Sequence, residues 1–147
     1  MNNYIYWPVR LNGERYHITL KYLGDVIPKP EDIVNRLREF KNLMPMLYEW
    51  KATTFKTNEG PTIYVMEFTK FSPTINEMHD ALNLREDDYK PYRPHIILPQ
   101  AVWERFAGEK IPLNHVELFV GMPQAKINAL NLKIKYPPYN LLYQFLL

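Results

Sequence analysis

The sequence contains no cysteine. Disulfide bonds, thiolate catalysis, Cys-ligated zinc sites and iron–sulfur clusters are therefore excluded. No apolar run approaches the roughly 20 residues that span a bilayer as a helix. The segment from Met1 to Tyr4 also lacks the basic and apolar stretches of a signal peptide. These absences favour a cytoplasmic protein that does not insert into membranes.

The chain also has few glycines and a small net charge. The five glycines form no glycine-rich phosphate loop. The 147 residues carry 18 Lys and Arg against 16 Asp and Glu, a formal net charge of +2. Because coating a long duplex requires many cation–phosphate contacts, this small excess argues against such a role but permits a small anionic ligand. A length of 147 residues predicts one domain, residues 1–147, and 46% hydrophobic residues argue against a disordered or fibrous chain.

Turn signals and hydrophobic spacing predict a mixed order of strands and helices. Asn12-Gly13 is typical of a two-residue hairpin turn. A helix over 30–44 follows from helical spacing after Pro30, and a second helix is expected to start with Ser72 as its N-cap. The predicted strands are 3–9, 15–23, 49–57, 61–69, 92–98, 114–121, 127–136 and 141–147. This order predicts an α+β domain.

Two short strings stand out, one in each half of the chain: His17-Ile18-Thr19-Leu20 and His95-Ile96-Ile97-Leu98. In a strand, side chains at i and i+2 share a face. The imidazole of His17 and the hydroxyl of Thr19 are therefore expected to point the same way. The second string repeats the arrangement with His95 and Ile97. Two histidines on matched strands predict one site in which one imidazole takes a proton and the other gives one.

The two strings, with their flanks 16–24 and 92–99, resemble the two-histidine (2H) phosphoesterase superfamily. It includes 2′-5′ RNA ligase-like proteins and cyclic phosphodiesterases. More narrowly, the chain looks like the compact phage anti-CBASS nucleases, which degrade the cyclic oligonucleotide signals of bacterial immunity. The resemblance implies two antiparallel lobes facing a central cleft, with helices outside. It also implies a phosphodiesterase that needs no metal or cofactor and acts on cyclic di- and trinucleotides in a bacterial cytoplasm.

The expected reaction is cleavage of a 3′-5′ phosphodiester by the neighbouring 2′-hydroxyl. One histidine would act as base and the other as acid, and the sequence leaves that assignment open. The resemblance implies that Thr19 donates to a non-bridging phosphate oxygen. Ile97 occupies the matching position and has no donor. Because losing one such donor costs about 3–4 kcal/mol of transition-state stabilisation, reduced activity is expected.

Further substrate-binding residues are predicted around the motifs. Lys21 shares the face of His17 if the strand is regular, and Arg93 precedes His95 by two residues as Arg15 precedes His17. Cations there would offset phosphate charge. Aromatic candidates for base stacking are Tyr6, Trp7, Trp50 and Tyr139. Glu117 is a candidate acceptor for a base-edge amine. Each of these residues also fits ordinary packing or a solvated surface.

The remaining histidines carry no motif. His79 is expected to be half-exposed on a helix, and His115 to begin a strand. Neither is expected to take part in catalysis. No HxH or HExxH spacing predicts a metal site.

Two other functions remain open. A 2′,3′-cyclic phosphodiesterase or 2′-5′ RNA ligase-like enzyme would prefer RNA ends or 2′-5′ linkages to closed rings. A degenerate member, inactivated by Ile97, would bind and sequester a nucleotide without turnover.

Overall fold

A computed structural model describes residues 2–40, 45–56, 59–108, 118–127, 130–134 and 143–145. Over these residues the chain has an α+β fold with two antiparallel sheets and three α-helices. None of the helices described there is long and apolar enough to cross a membrane.

The first sheet contains the hairpin that carries the first motif. Its strands are β1 (Asn3–Leu11), β2 (Glu14–Gly24), β6 (Leu118–Val120), β7 (Gln124–Ile127), β8 (Leu130–Ile134) and β9 (Tyr143–Phe145). The order is β2-β1-β7-β8-β9, and β6 pairs with the far end of β1. Asn12 and Gly13 connect β1 to β2 with φ angles of 49° and 85°. Positive values at both positions are those of a type I′ turn, which confirms the predicted hairpin.

A proline marks the point where β1 changes its neighbour. Tyr4 to Tyr6 pair with β7, and Val9 to Leu11 pair with β6. Pro8 lies between these two stretches, where its missing N–H breaks no ladder. Its carbonyl accepts a hydrogen bond from Gly121 N at 2.7 Å. A Cβ on Gly121 would lie 2.8 Å from Pro8 Cγ, so glycine permits this close approach.

The second sheet carries the second motif. Its order is β3 (Leu47–Phe55), β4 (Ile63–Phe71), β5 (His95–Ile97). The helices are α1 (Pro30–Leu37), extended by a 3₁₀ turn at Arg38–Phe40, α2 (Thr74–Ala81) and α3 (Gln100–Gly108). Strand β5 is shorter than the predicted 92–98. Strand β8 lies within the predicted 127–136, whereas β7 was not predicted.

The helix predictions need two corrections. Pro73, and not Ser72, occupies the N-cap of α2. The Ser72 hydroxyl instead accepts a hydrogen bond from Met46 N at 3.0 Å, so it links α2 to the chain entering β3. Helix α3 was not predicted, although Val102, Trp103 and Phe106 stand at helical spacing and pack against the core.

The core lies between the two sheets and helices α1 and α2. Strands β1 and β2 contribute their alternate residues, including Ile5, Val9 and Ile18, and β4 contributes Phe68. Trp7 belongs to this row and is only 3% exposed. The prediction that Trp7 stacks on a base is therefore wrong, because the alternation of β1 turns its ring into the core.

Candidate functional site

His17 and Thr19 lie on the face of the first sheet opposite the core. The β1–β2 register pairs Pro8 with His17 and Tyr6 with Thr19. Directly opposed residues of an antiparallel pair share a face. Tyr6, a predicted stacking residue, therefore lies on the same face as the first motif.

Two tyrosines enclose the imidazole of His17. Tyr4 stacks on it with ring centroids 5.0 Å apart and planes 20° from parallel. Tyr6 meets it edge-on at 5.3 Å. The Tyr6 hydroxyl donates to Gln124 Oε1 at 2.8 Å, which anchors the ring to β7. These contacts hold the imidazole in one orientation.

His95 is oriented by a backbone hydrogen bond. The β4–β5 register pairs it with Glu67 and pairs Ile97 with Val65. His95 Nδ1 lies 2.7 Å from the carbonyl oxygen of Arg93. Because a carbonyl only accepts, Nδ1 donates, and Nε2 of the neutral ring is the acceptor. The ring also meets Phe55 edge-on at 4.8 Å.

The charge of His95 acts on the imidazole of His17. Burial lowers the pKa of His17, and the charges of His95 and Lys126 lower that pKa further. Strand β2 packs against β5. The fold thus brings together two histidines that belong to different sheets.

The pKa of His95 is also lowered, but its environment is mixed. Burial lowers the pKa of His95 most, the hydrogen bond to the Arg93 carbonyl and the Glu67 carboxylate raise it, and the Arg93 guanidinium lowers it. Two neighbours therefore favour the protonated form of His95. For His17, burial and both neighbouring charges oppose protonation.

Arg93 lies beside His95, but its charge is neutralised. Its guanidinium donates twice to Glu67, at 2.6 and 2.7 Å, and lies 4.5 Å from the Phe55 ring centroid. The hydrogen bond from Arg93 holds the pKa of Glu67 below its usual value, against the effect of burial. Lys51 approaches the same carboxylate at 3.8 Å. Glu67 was missed from the sequence, where its only signal is a lone acid within an apolar strand.

Lys21 does not share the face of His17, and that prediction is wrong. The register moves from Tyr6–Thr19 to Ile5–Lys21, so Leu20 is an extra residue on β2. Such a bulge interrupts the alternation of faces. Lys21 is 4% exposed, and its Nζ lies 2.5 Å from Asp87 Oδ1.

His79 is buried beside this bulge, not half-exposed as predicted. Its Nδ1 lies 2.6 Å from the Leu20 carbonyl oxygen, and its Nε2 lies 2.8 Å from Asp87 Oδ2. Tyr92 stacks on the His79 ring at 4.1 Å and donates to the Thr19 carbonyl at 2.7 Å. This bulge cluster (Lys21, His79, Asp87 and Tyr92) ties the first motif to the segment that precedes His95.

The other predicted site residues fall into three groups. Trp50 pairs with Phe68, lies on the face opposite His95 and packs edge-on against Phe106 at 5.5 Å. It is therefore part of the packing under α3 and not of the histidine site. Ile97 shares the face of His95 and is 53% exposed. Glu117, Tyr139 and also His115 lie outside the described residues.

A groove of about 670 Å³ extends from His17 across the first sheet. Its charged and polar lining includes Arg10, Arg15, Tyr4, Tyr6, Gln124, Lys126, Asn131 and Lys133. None of the described residues that line it is acidic.

Over the same described ranges, no three His, Asp or Glu side chains come together as a metal-binding group.

Comparison with known proteins found no matching family model, no matching curated protein and no matching solved structure.

Proposed function

We propose that this protein is a two-lobed, 2H-type phosphodiesterase that cleaves RNA-like 3′-5′ phosphodiesters with two histidines and no metal or cofactor. Cyclic di- and trinucleotides of the kind used as bacterial immune signals are its expected substrates. One observation carries the proposal: His17 and His95 come from different sheets, yet the charge of one lowers the pKa of the other. Two imidazoles so placed are suited to flank a single phosphate.

His17 serves as the general base in this proposal, and His95 as the general acid. Burial and two neighbouring cationic groups lower the pKa of His17, which keeps the imidazole neutral and able to accept a proton. Burial lowers the pKa of His95 overall, but its Nδ1 donates to a carbonyl and it lies near Glu67. Both contacts favour the protonated form of His95, whereas the charges beside His17 oppose protonation there. The Nε2 of His95 then carries the proton to be donated.

The reaction balances with these two groups alone. His17 removes the proton of the ribose 2′-hydroxyl, and the 2′-oxygen forms a bond to phosphorus. The bond from phosphorus to the 5′-oxygen breaks, and His95 Nε2 gives its proton to that oxygen. The products are a 2′,3′-cyclic phosphate and a 5′-hydroxyl, so a closed ring becomes linear. Exchange with solvent returns both histidines to their starting states. In this proposal the Thr19 hydroxyl, on the same face as His17, donates to a non-bridging oxygen.

The testing experiment is a chromatographic assay in EDTA with cyclic di- and trinucleotides, a nucleoside 2′,3′-cyclic phosphate and a 2′-5′-linked dinucleotide. Linear products from the rings, lost in His17→Ala and in His95→Ala, support the proposal. Each substitution is expected to lower the rate by about 10²–10⁴-fold, the usual contribution of a general acid or base. Cleavage of only the last two substrates would instead identify an RNA-end or 2′-5′-specific enzyme.

A second function is favoured by Ile97. An exposed isoleucine beside His95 puts an apolar side chain where the motif has a hydroxyl donor. A nucleotide-binding protein without turnover would retain ligands intact in the same assay. Retention with no product from any substrate would replace the phosphodiesterase proposal with this one.

A further inference from the structure

Four cations share the face of the first sheet that carries His17. Arg10 and Arg15 pair with each other across β1 and β2. Lys126 pairs with Tyr4 across β1 and β7, and Lys133 pairs with Gln124 across β7 and β8. All four line the groove next to His17. We call Arg10, Arg15, Lys126 and Lys133 the basic groove.

These four cations differ from five other cations in the described part of the chain, which are paired with carboxylates. Lys21, Lys51, Lys70, Arg85 and Arg93 each lie within an ion-pair distance of a carboxylate. Within the described residues, no carboxylate makes an ion pair with any member of the basic groove, and the Lys126 ammonium lies 5.7 Å from the centroid of the Tyr4 ring. Lys126 and Lys133 are nevertheless half-buried. Clustered like charges repel each other but attract anionic ligands.

The basic groove is wider than one phosphate. Its members are spread from β2 to β8, a distance of about 14 Å, since neighbouring strands lie about 4.8 Å apart. A single phosphate at His17 would occupy only one part of it. The remaining cations are therefore available to ligand groups other than the phosphate that is cleaved.

We propose that the basic groove binds the non-scissile phosphates of a single-stranded or cyclic oligonucleotide, and so selects ligands with several phosphates over mononucleotides. This inference rests on the proposed function for its choice of ligand. Arginine and lysine side chains that track a phosphate backbone are the general means of holding single-stranded nucleic acid.

The test measures dissociation constants by calorimetry on the His95→Ala background, where ligands are not consumed. The ligands are a nucleoside 2′,3′-cyclic phosphate, a cyclic dinucleotide and a cyclic trinucleotide, each at several salt concentrations. We expect affinity to rise with phosphate number. The slope of log affinity against log salt should steepen by about 0.7 for each added phosphate contact.

Two matched double variants test whether the cations of the basic groove cause this dependence on phosphate number. Arg10→Gln with Lys133→Gln should weaken trinucleotide binding about tenfold and flatten its salt slope, with little change for the mononucleotide. Lys56→Gln with Lys70→Gln removes the same charge from exposed positions near and on the second sheet and should leave both affinities unchanged. Thermal unfolding of both double variants checks that each remains folded.

Several outcomes would overturn the inference. These are equal affinity for all three ligands, equal effects of the two double variants, or a groove-dependent affinity for anionic lipid vesicles that exceeds that for oligonucleotides. The inference and the proposed function can fail separately. Groove-dependent binding without cleavage by the unsubstituted protein defeats only the phosphodiesterase, whereas cleavage without any groove dependence defeats only this inference.

Discussion

In the described part of the chain, the first sheet surrounds His17 with tyrosines and with cations that no carboxylate pairs with, whereas the second sheet surrounds His95 with a carboxylate, a backbone carbonyl and Phe55. Lys126 adds positive charge next to His17. On the second sheet, both Arg93 and Lys51 approach Glu67, so positive charge near His95 is offset. Two histidines in nearly identical strings thus have different electrostatic environments. The difference shows that the local string sets the residue type, while neighbouring strands supply charges that act on the imidazole.

The largest effect is expected where the two motifs differ most. Ile97→Thr introduces a hydroxyl donor at the motif position that matches Thr19 and should raise the turnover rate by up to about 100-fold, the lower end of what one oxyanion donor contributes. Ile97 is exposed, so its loss leaves no cavity and stability should hardly change. The check is the turnover rate at a saturating concentration of cyclic dinucleotide. Ile27→Thr, at another exposed position, is the control variant. A rate that does not rise would mean that the second motif contributes no donor to the transition state.

Removing the Glu67 carboxylate should make the electrostatic environment of His95 resemble that of His17. Glu67→Gln removes the negative charge that raises the pKa of His95, so that pKa should fall. If His95 is the acid, the alkaline limb of the pH–rate profile moves to lower pH. Stability should also fall by about 1–3 kcal/mol, because a buried acceptor of charged hydrogen bonds is lost.

Glu49→Gln is the matched control for that change, since Glu49 pairs with Lys70 at the exposed edge of the same sheet. Its effect on urea-induced unfolding should stay below about 0.5 kcal/mol. Equal destabilisation by the two substitutions would show that the Arg93–Glu67 pair has no special role beside His95.

The bulge cluster, which joins the two motifs, should be the next most sensitive element. Asp87→Asn weakens the hydrogen bonds from Lys21 and His79 and should cost about 1.5–3 kcal/mol at neutral pH. Asp88→Asn changes the neighbouring exposed carboxylate and should have a much smaller effect.

The same cluster predicts a pH dependence with a definite sign. Burial raises the pKa of Asp87, but hydrogen bonds from Lys21 and His79 outweigh burial, and the net pKa is lowered. Its stabilising contribution is therefore present above the unfolded value of about 3.9 and is lost as pH falls below it. The stability difference between the unsubstituted protein and Asp87→Asn should narrow on acidification. A constant difference would contradict this assignment.

The smallest expected effect concerns a single charge beside His17. Lys126→Gln removes one of the influences that lower the pKa of His17. That pKa should rise, and the acidic limb of the pH–rate profile should move to higher pH. Lys133 lies on the same face, but its charge is not one of those that lower the pKa of His17. Lys133→Gln is therefore the matched control. It should leave the limb in place, and an identical shift in both variants would indicate a general effect of net charge.

Local features of the fold were predictable, and non-local ones were not. Asn12-Gly13 specifies its hairpin through two adjacent residues, and the alternation around His17 and Thr19 depends on neighbours in sequence. The bulge at Leu20 is different, because it is stabilised by contacts with His79 and Tyr92, far along the chain. Its position reversed the prediction for Lys21.

The candidate site shows the same division. The two histidines could be chosen from their strings, but Glu67 becomes part of the site only because β4 pairs with β5. Lys126 and Lys133 reach the face of His17 only through the order β2-β1-β7-β8. Strand order and register link residues that are distant in sequence, so no local pattern could reveal these neighbours.

The opposed roles of the two histidines can be tested with a leaving group that needs no proton. His17→Ala and His95→Ala are each assayed on a cyclic dinucleotide and on a ribonucleoside 3′-(4-nitrophenyl phosphate), whose phenolate departs without a general acid. The account predicts that His95→Ala, which lacks the acid, regains most of its activity on the nitrophenyl ester, whereas His17→Ala, which lacks the base, stays impaired on both substrates. Recovery by His17→Ala instead, or equal impairment of both variants on both substrates, would contradict it.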